Sequence, residues 1–536
     1  MDKYIINAPI GTRDMIGEDC EKRKKVEDIF YNLCTSRGYT QVITSSLEYF
    51  DMYSNDLSVR QENMYKLTDR NGKILVMRPD MTTPIARIAA TRFANSQMPL
   101  KLFYLSNVFR VAYDNRGESA EIMQGGIELL GDSSIQADLQ VITDAIDMLL
   151  TCGISDFQLE IGHTGYFKQL TAGLELSDPE IDALHNIIEQ KDYAALMDFA
   201  ADYSSSPYYG ALAKLSQMFG GQEILDRAYA LTPKTDDKTA LDYLQNLYKL
   251  LVQKGYGGYI SIDLGIVSKL DYYTGVIFRA YTPGVGKTVL TGGRYDKLAA
   301  VFGADISAVG FAMDIDAVAF CEKDYQKTKK NLRLAVTKGR IENKTLEFLE
   351  IMGADCTEIR QKSRKLIYSF DNIGIDLVLA KAVDVITYIE SGVCDLGIVG
   401  KDTIMENGRS FYEVLDLGFG KCRFALATFK DSDFYENNKA KTIATKYPKI
   451  TRNFFASKGM DVDIIKIDGS VELAPVLGLA DGIVDIVETG KTLAENGLVT
   501  IEDIAPISAR LIVNVASMKT QKDKVLEFVN GIAKQI

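Results

Sequence analysis

One acidic residue and a short Thr/Gly-rich loop near the end of the chain have the spacing of a phosphate-binding site. Asp485 lies in the apolar run 483–487, which predicts a buried strand, and the loop 489–492 follows before a predicted helix that starts near Thr492. Such a loop offers backbone N–H groups, hydroxyls and a helix N-terminus to an anion, and Gly490 permits close approach of the backbone. With Asp485 able to accept hydrogen bonds from ribose, the pattern indicates a site for a sugar 5-phosphate. An ordinary strand–turn–helix connection has the same local pattern.

The elements around this loop predict an α/β fold. A strand over 332–336 and a loop over 337–340 precede a helix over 341–352 that Gly353 ends. Strands and helices keep alternating to the C-terminus, which is typical of largely parallel sheets. The segment 321–331 carries four lysines and few apolar residues, so it predicts a linker. A solvated helix face is the alternative interpretation of that segment, and it would leave the boundary nearly unchanged.

Before the linker, the sequence pattern of residues 1–320 predicts an α+β domain. A helix is predicted over 135–150, where apolar residues recur three and four positions apart. The region of about 166–252 is predicted to be mostly helical, with one helix opened by Ser177-Asp-Pro179 and another broken at Pro207. We interpret this region as a helical insertion into the α+β domain.

Composition limits the possible functions. A chain of 536 residues is expected to form about three to five compact units. Seven scattered cysteines, no apolar stretch of 18 residues and no signal-peptide pattern predict a cytoplasmic protein without a membrane segment. With only two histidines, a His-based metal cluster or a Ser-His-Asp relay is not expected. The net charge of −12 argues against nucleic acid as a partner.

Motifs on both sides of the phosphate loop identify a family resemblance. They occupy residues 395–402, 418–423, 442–448 and 469–475. In this order they resemble the short form of ATP phosphoribosyltransferase from about residue 332 to the C-terminus. The resemblance implies two lobes similar to periplasmic-binding-protein domains, with the active site in the cleft between them. Lobe I would comprise 332–420 plus 516–536, and lobe II 421–515.

The resemblance also implies the reaction and its residues. In this family N1 of ATP attacks C1 of phosphoribosyl pyrophosphate (PRPP) and releases pyrophosphate, the first step of histidine biosynthesis. Adenine N1 needs no strong base, so the site must orient two polyanions with cations and with Mg²⁺ carried by the substrates, without a metal site of the protein's own. Arg340 and Arg364 are the candidate catalytic residues, although any single cation also fits a solvated surface charge. The PRPP candidates are Glu472, Asp485, Thr489, Gly490, Lys491 and Thr492, and the ATP candidates are Lys338, Gly339, Lys381, Asp395, Gly397 and Gly400.

A second resemblance covers about residues 5–320. Motifs at 11–14, 77–80, 107–110, 124–128, 270–274, 292–296 and 310–313 resemble the class II synthetase core. They are most similar to histidyl-tRNA synthetase and to its paralogue, the regulatory subunit of ATP phosphoribosyltransferase. By this resemblance the residues that hold histidine are Asp80, Thr82, Arg110, Gln124, Glu128, Tyr272 and Tyr273. Packing remnants of a lost site are the alternative interpretation.

The residues for amino-acid activation are altered. Ala112 replaces an expected acid, Ser268 replaces an arginine, and the third motif's arginine is missing within 314–317. Removing cations that stabilise phosphate charge is expected to abolish adenylation. The sequence therefore predicts a fusion of regulatory and catalytic subunits that histidine inhibits and that assembles as a homo-oligomer such as a tetramer. A functional histidyl-tRNA synthetase with a C-terminal appendage and a non-catalytic small-molecule sensor are the alternatives.

Overall fold

Two compact units make up the chain. The computed structural model describes residues 6–53, 61–112, 119–233, 237–267, 273–321, 331–361, 365–408, 410–436 and 439–536. The units are Met1–Thr328 and Lys329–Ile536, and the division falls inside the lysine-rich segment that predicts a linker. Tyr272, Ser268 and Arg364, three positions discussed above, lie outside the described residues.

The first unit is built on β-sheet. Its strands are β1 (Thr40–Gln41), β2 (Leu47–Tyr49), β3 (Lys66–Thr68), β4 (Ile74–Met77), β5 (Leu100–Phe109), β6 (Glu121–Leu130), β7 (Gln158–His163), β8 (Phe219–Gly220), β9 (Ile260–Asp263), β10 (Val276–Tyr281), β11 (Leu290–Arg294) and β12 (Ala308–Asp314). A nine-stranded sheet has the order β1-β5-β6-β12-β11-β10-β7-β9-β8, and a small sheet has the order β2-β4-β3. The centre of the large sheet is antiparallel.

Helices cover this sheet and fill the inserted region. They are α1 (Glu18–Ser36), α2 (Thr82–Thr91), α3 (Ile135–Thr151), α4 (Thr164–Gly173), α5 (Asp178–Glu189), α6 (Tyr193–Ala201), α7 (Tyr209–Lys214), α8 (Gln222–Leu231), α9 (Thr239–Gln253) and α10 (Ile315–Ala319). The Ser134 side chain caps α3, and Ser177 with Glu180 forms a capping box at α5. Pro207 lies in the turn between α6 and α7. Short 3-10 turns occur at Phe50–Tyr53, Gln61–Asn63, Leu215–Gln217 and Ala299–Phe302.

A buried ion pair ties α3 to the large sheet. The guanidinium of Arg294 on β11 donates to Asp138 at 2.7 Å, and both side chains are almost fully buried. Arg294 also donates to Asp296 at 3.0 Å, and the hydroxyl of Tyr243 donates to Asp138. Because every charge in this cluster has a partner, its burial is compatible with a stable core.

The second unit contains two mixed sheets. Its strands are β13 (Leu332–Thr337), β14 (Ile367–Phe370), β15 (Ile375–Ala380), β16 (Leu396–Gly400), β17 (Tyr412–Asp416), β18 (Cys422–Phe429), β19 (Lys441–Thr445), β20 (Val462–Lys466), β21 (Gly482–Val487), β22 (Leu498–Ile507) and β23 (Ala509–Val513). The sheet orders are β14-β15-β13-β16-β23-β17 and β20-β19-β21-β18-β22. The sheets are parallel only within β15-β13-β16 and β20-β19-β21, and the other pairings are antiparallel, so the expectation of largely parallel sheets is wrong.

Helices of the second unit follow many of these strands. They are α11 (Arg340–Ile351), α12 (Thr357–Arg360), α13 (Ala382–Glu390), α14 (Lys401–Asn407), α15 (Pro448–Ser457), α16 (Leu473–Val476), α17 (Lys491–Glu495), α18 (Val515–Thr520) and α19 (Lys522–Ala533). The first of them, α11, begins one residue before its predicted start.

The lobe boundary predicted at residue 515 is wrong. β23 pairs with β16 and β17, so residues 509–513 belong to the six-stranded sheet and lobe II ends near residue 508. An apolar strand pattern does not reveal which of two adjacent sheets the strand joins, and here the chain changes sheets between β22 and β23.

Candidate active site

A cavity of about 760 Å³ lies in the second unit, between its two sheets. Residues from both sheets line it. The predicted site residues that line this cavity are Lys338, Arg340, Gly400, Glu472, Asp485, Thr489, Gly490, Lys491 and Thr492. The predicted phosphate loop and the predicted cations are therefore in the same cleft, although they are about 150 residues apart in sequence.

The phosphate loop has the conformation that its sequence predicts. β21 ends at Val487, and α17 begins at Lys491, one residue before the predicted start. Gly490 is the residue before α17, and its φ of 73° lies in the left-handed region that favours glycine. Thr489 and Thr492 are exposed on this loop. The loop can therefore present backbone N–H groups and two hydroxyls to an anion in the cleft.

Asp485 is the half-buried acid beside the loop. Burial raises the pKa of Asp485 to about 6, and the negative charge of Glu472 adds to this shift. A hydrogen bond from the backbone of Ile486 and the charge of Lys446 oppose it. The carboxylate is thus ionised at neutral pH and protonates as the pH falls through about 6, which removes a hydrogen-bond acceptor from the cleft.

Arg340 faces the loop from the other side of the cleft. It opens α11 directly after Gly339, whose φ is 100°. Its guanidinium donates to both carboxylate oxygens of Glu488, at 3.1 and 3.2 Å. The Arg340 and Glu488 side chains are 80% and 57% exposed, so the ion pair contributes about 0–1 kcal/mol. Arg340 is therefore readily available to a more highly charged anion.

Two further predicted cations lie at the same edge of the six-stranded sheet. The backbone N–H of Lys338 donates to the carbonyl of Ala380 at 3.0 Å, which places Lys338 and Lys381 at adjacent strand ends. The exposed side chain of Lys338 lines the cleft. Lys381 is exposed at the start of α13 and is not among the residues that line the cavity.

Asp395 and Gly397 are not in the cleft, which corrects their assignment to ATP. Asp395 is only 1% exposed, and its carboxylate accepts from the backbone of Arg333 and from the Ser517 hydroxyl, both at 2.7 Å. A Cβ added to Gly397 would meet the side chains of Val385, Ile389 and Ile512 within about 3.0 Å. The motif 395–402 follows the whole length of β16, and only its end at Gly400 reaches the cleft.

Sequence reasoning missed several cleft residues. Glu488, Asp402, Lys344 and Lys421 all line the cavity. Asp402 follows Gly400 by two residues inside a recognised motif, so that motif contained a usable signal. Cys422, within the recognised motif 418–423, also lines the cleft. Burial, with Asp402 and Glu488 nearby, raises the pKa of Cys422, which keeps the thiol protonated and unreactive.

A second group of predicted residues meets on one face of the nine-stranded sheet. Glu128 on β6 is 1% exposed, and its carboxylate accepts from the hydroxyls of Thr82, at 3.2 Å, and Tyr295. Burial raises the pKa of Glu128 to about 8. A Cβ added to neighbouring Gly310 would overlap this carboxylate. Tyr295 was not among the predicted histidine-site residues, although it lies in the recognised motif 292–296.

Four further residues predicted to hold histidine lie in the described part of the first unit. Gln124 shares the face of β6 that carries Glu128, because residues two positions apart point the same way. Asp80 accepts from Thr83 at 3.0 Å before α2, and Arg110 donates to the carbonyl of Pro79 at 3.0 Å. The ring of Tyr273 lies against Gly293, where an added Cβ would approach it to 2.7 Å.

Tyr104, which the sequence did not single out, lies in the same cluster. Its ring is fully buried, and its hydroxyl has no hydrogen-bond partner among the residues that the structure describes. Burial, together with the charges of Glu128 and Asp80, raises the pKa of Tyr104 well above its ordinary value. A buried hydroxyl of this kind can bond to a polar ligand.

The segment that replaces the third synthetase motif has a structural role. Asp314 accepts from the backbone of Ala317 at 2.8 Å and pairs with Lys287 at 2.6 Å. Asp316 accepts two hydrogen bonds from Arg23, at 2.8 and 2.9 Å. Acids that cap a short helix and bind an arginine of α1 thus occupy the place expected for a phosphate-binding cation.

In the described ranges, no group of three or more His, Cys, Asp or Glu side chains is arranged to hold a metal ion. None of the described helices is both long enough and apolar enough to span a membrane.

Comparison with known proteins matches both halves of the chain. The family model described as Histidyl-tRNA synthetase covers residues 11–318, more than half of the chain. The family model described as ATP phosphoribosyltransferase covers residues 381–534. The chain thus combines a class II synthetase-like domain with a phosphoribosyltransferase domain.

Individual relatives agree with this division. An ATP phosphoribosyltransferase regulatory subunit of Clostridium novyi is 35% identical over 429 residues, covering 79% of this chain and 97% of the relative. An ATP phosphoribosyltransferase of Clostridium kluyveri is 57% identical over 208 residues, covering 39% of this chain and 95% of the relative. A solved regulatory subunit/histidyl-tRNA synthetase from Bacillus halodurans is 29% identical with a TM-score of 0.56, covering 70% of this chain and 93% of that one.

These matches define the family. The chain belongs to the ATP phosphoribosyltransferase family of histidine biosynthesis, with its catalytic domain preceded by a domain of the histidyl-tRNA synthetase-like regulatory type. The predicted fusion is therefore confirmed.

Proposed function

We propose that the cleft of the second unit transfers the phosphoribosyl group of PRPP to N1 of ATP and releases pyrophosphate. The main support for this proposal is a single cavity. Asp485 and the residues Thr489–Thr492 line it on one side, and Lys338 and Arg340 line it on the other. A phosphate loop opposite cations suits a reaction between two polyanions. The expected two lobes of periplasmic-binding-protein type agree with a sheet on each side of the cleft.

Each side of the cleft is assigned a substrate. Glu472 and Asp485 bind the ribose hydroxyls of PRPP, and the residues that hold its 5-phosphate are Thr489, Gly490, Lys491 and Thr492. Lys338, Gly339 and Gly400 line or border the ATP side, with Lys381 at its edge. Arg340 neutralises phosphate charge as pyrophosphate departs, and Arg364 stays a candidate for the same role. No residue of this set is needed as a base because adenine N1 attacks directly.

Magnesium is proposed to enter this cleft bound to the phosphates of the substrates. The cleft contains carboxylate oxygens of the type that Mg²⁺ prefers, but no three acids of the described residues are arranged to hold the ion, so the substrate phosphates are its expected main ligands. When bound with the substrates, Mg²⁺ neutralises charge on the departing pyrophosphate. The protein's own contribution is to orient both substrates and keep Arg340 beside the leaving group.

The direct test is a spectrophotometric assay of the purified full chain with ATP, PRPP and Mg²⁺. Product absorbance that requires both substrates is expected, with stoichiometric pyrophosphate release. A preparation that binds PRPP but forms no product would contradict the proposal and favour a non-catalytic sensor.

We also infer that the first unit binds free histidine and that this binding inhibits the cleft. Buried Glu128, the unpartnered hydroxyl of Tyr104 and the close-packed Gly310 support a small polar pocket. Inhibition requires that histidine favour one state of the enzyme, and by linkage the substrates then change histidine affinity by the same factor, typically about 5- to 150-fold.

Calorimetric titration of histidine, with matched inhibition curves, tests this inference. Wild type is expected to bind and respond, whereas a Glu128→Ala, Tyr272→Phe variant is expected to do neither. Full inhibition of the variant by histidine would show that the pocket is assigned wrongly. Light scattering of the same samples, with and without histidine, tests the proposed homo-oligomer.

The synthetase alternative has its own test. The structural roles of Asp314 and Asp316 support the loss of adenylation. We expect no histidine-dependent exchange between ATP and pyrophosphate. Exchange at the rate of a working synthetase would overturn the regulatory interpretation of the first unit.

A further inference from the structure

Two helices from opposite sides of the cleft meet through one carboxylate. α14 follows β16 of the six-stranded sheet, and α15 follows β19 of the five-stranded sheet. Glu406, near the end of α14, accepts from the backbone N–H groups of Lys449 and Ile450, at 3.0 and 3.1 Å. These are the second and third residues of α15. The side chain of Tyr447, which precedes α15, makes no capping hydrogen bond, so Glu406 caps this helix from the other lobe.

Tyr447 connects the same contact to the cleft. It is buried, its ring packs edge-on against Phe424 with centroids 4.8 Å apart, and its hydroxyl donates to Asp402 at 3.4 Å. Burial and the charges of Asp402 and Asp485 raise the pKa of Tyr447, so the hydroxyl stays a donor. Tyr447 therefore lies close to two acids that line the cleft, Asp402 from one lobe and Asp485 from the other.

A second connection leads from Tyr447 to the strand that carries Asp485. The backbone N–H of Tyr447 donates to the Thr445 hydroxyl at 2.9 Å, and that hydroxyl donates to the carbonyl of Val484 at 2.7 Å. Thr445 is fully buried. Displacement of Tyr447 would therefore be transmitted to the residue just before Asp485.

The geometry points to Glu406 and Tyr447 as positioning residues for the transfer reaction. They hold the two lobes in one relative orientation, so that Asp402 from one lobe and Asp485 from the other keep a fixed separation around the substrates. Neither residue lines the cavity. This inference rests on the proposed function, because it concerns alignment of the two substrates in that cleft.

A positioning role makes binding and turnover respond differently. The residues proposed for PRPP all belong to the five-stranded lobe, so PRPP binding alone does not need the lobes to be aligned. The transfer step needs both substrates in line, where a displacement of about 1 Å can cost about a hundredfold. Loss of the contact is therefore expected to lower kcat by at least about tenfold while the Kd for PRPP changes by less than about twofold.

The experiment compares Glu406→Ala, Glu406→Gln, Tyr447→Phe and the control Glu527→Ala, an exposed site on α19. Steady-state kinetics, PRPP titration and amide exchange at Lys449 and Ile450 are measured on the full chain. Glu406→Ala should have a lower kcat and less protection from amide exchange. Glu406→Gln should recover part of both, because its amide oxygen can still accept a hydrogen bond. Tyr447→Phe should have a lower kcat but remain folded. The control should match wild type.

Two results would overturn the inference. One is wild-type kcat in both Glu406→Ala and Tyr447→Phe. The other is a loss of PRPP affinity as large as the loss of kcat, which would indicate a general loss of structure. Failure of the proposed function is distinct, because the wild-type chain itself would then form no product.

Discussion

The cleft of the second unit contains the half-buried carboxylate of Asp485, and the first unit contains the buried carboxylate of Glu128, but the two groups have opposite surroundings. Asp485 faces an open cleft with Lys338, Arg340 and a Thr/Gly loop around it. Glu128 is enclosed by tyrosines and glycine backbone, and its hydrogen-bond partners, the hydroxyls of Thr82 and Tyr295, are neutral. An open, charged cleft suits reacting polyanions, whereas an enclosed site with neutral partners suits retention of one small molecule. The difference agrees with the proposed division of chemistry and histidine sensing between the two units.

The largest expected effect concerns stability of the first unit. Asp138→Ala leaves Arg294 without its closest buried partner, and breaking a buried pair in this way costs about 3–5 kcal/mol. Chemical unfolding of the full chain, followed by a signal from the first unit, measures the change. Asp28→Ala, which removes an exposed pair with Lys24, is the matched control and should cost less than about 1 kcal/mol. Equal losses in the two variants would contradict the burial argument.

The next effect concerns catalysis in the cleft. Asp485→Asn and Arg364→Ala are each expected to lower turnover by at least about tenfold without unfolding, the usual cost of removing one preorganised electrostatic partner. Asp463→Asn, at an exposed site on β20, serves as the control. Near-wild-type turnover in both active-site variants would refute the site assignment.

The two carboxylates should also titrate in different pH ranges. Asp485 has its pKa raised to about 6, so turnover should fall by about tenfold per pH unit below that value as its acceptor is lost. Glu128 has its pKa raised to about 8, so its contribution to folding stability is present below its unfolded pKa of about 4.3 and is lost as the pH rises through 8.

Variant titrations check both halves of this prediction. The free energy of unfolding, measured from pH 5 to 9, should depend less on pH in Glu128→Gln than in wild type. The same variant should keep the fall in turnover at acid pH, because Asp485 is unchanged. An acid limb in kcat/KM that persists unchanged in residual Asp485→Asn activity would assign the titration to another group.

The smallest effect concerns the exposed pair across the cleft mouth. Glu488→Gln frees Arg340 from a competing carboxylate, so the KM for the substrate that Arg340 contacts should fall by about two- to threefold, within the range of exposed ion pairs. Initial-rate measurements at varied ATP and at varied PRPP identify which substrate responds. An increase in both KM values would mean that Glu488 binds substrate rather than competing with it.

Local patterns predicted the parts of the site that depend on local geometry. The loop at Gly490 was recognised because a left-handed glycine between a strand and a helix is encoded within a few residues. Gly397 was misassigned because a motif that runs along a whole strand does not reveal which end reaches a ligand. Helix boundaries such as those of α3 and α11 were close because capping and apolar spacing are local.

Features that depend on tertiary contacts were not predictable in this way. The cap that Glu406 provides to α15 joins residues of different lobes, and nothing in either segment indicates the pairing. The contact of Tyr295 with Glu128 was likewise not predicted, although Tyr295 lies in the recognised motif 292–296. Sheet membership of β23 likewise depends on a change of sheet that an apolar pattern does not record.

The position of β23 also sets the order in which the second unit can be completed during synthesis. β23 lies between β16 and β17, and those three strands are adjacent in the six-stranded sheet. The ribosome makes residues 509–513 only after the whole five-stranded lobe has been made. Until then β17 lacks its neighbour and β16 exposes one edge, so closure must wait for a contact of high sequence separation, which slows folding. The five-stranded lobe can therefore fold before the six-stranded sheet is complete. The six-stranded sheet closes only when β23, which is made last, pairs between β16 and β17.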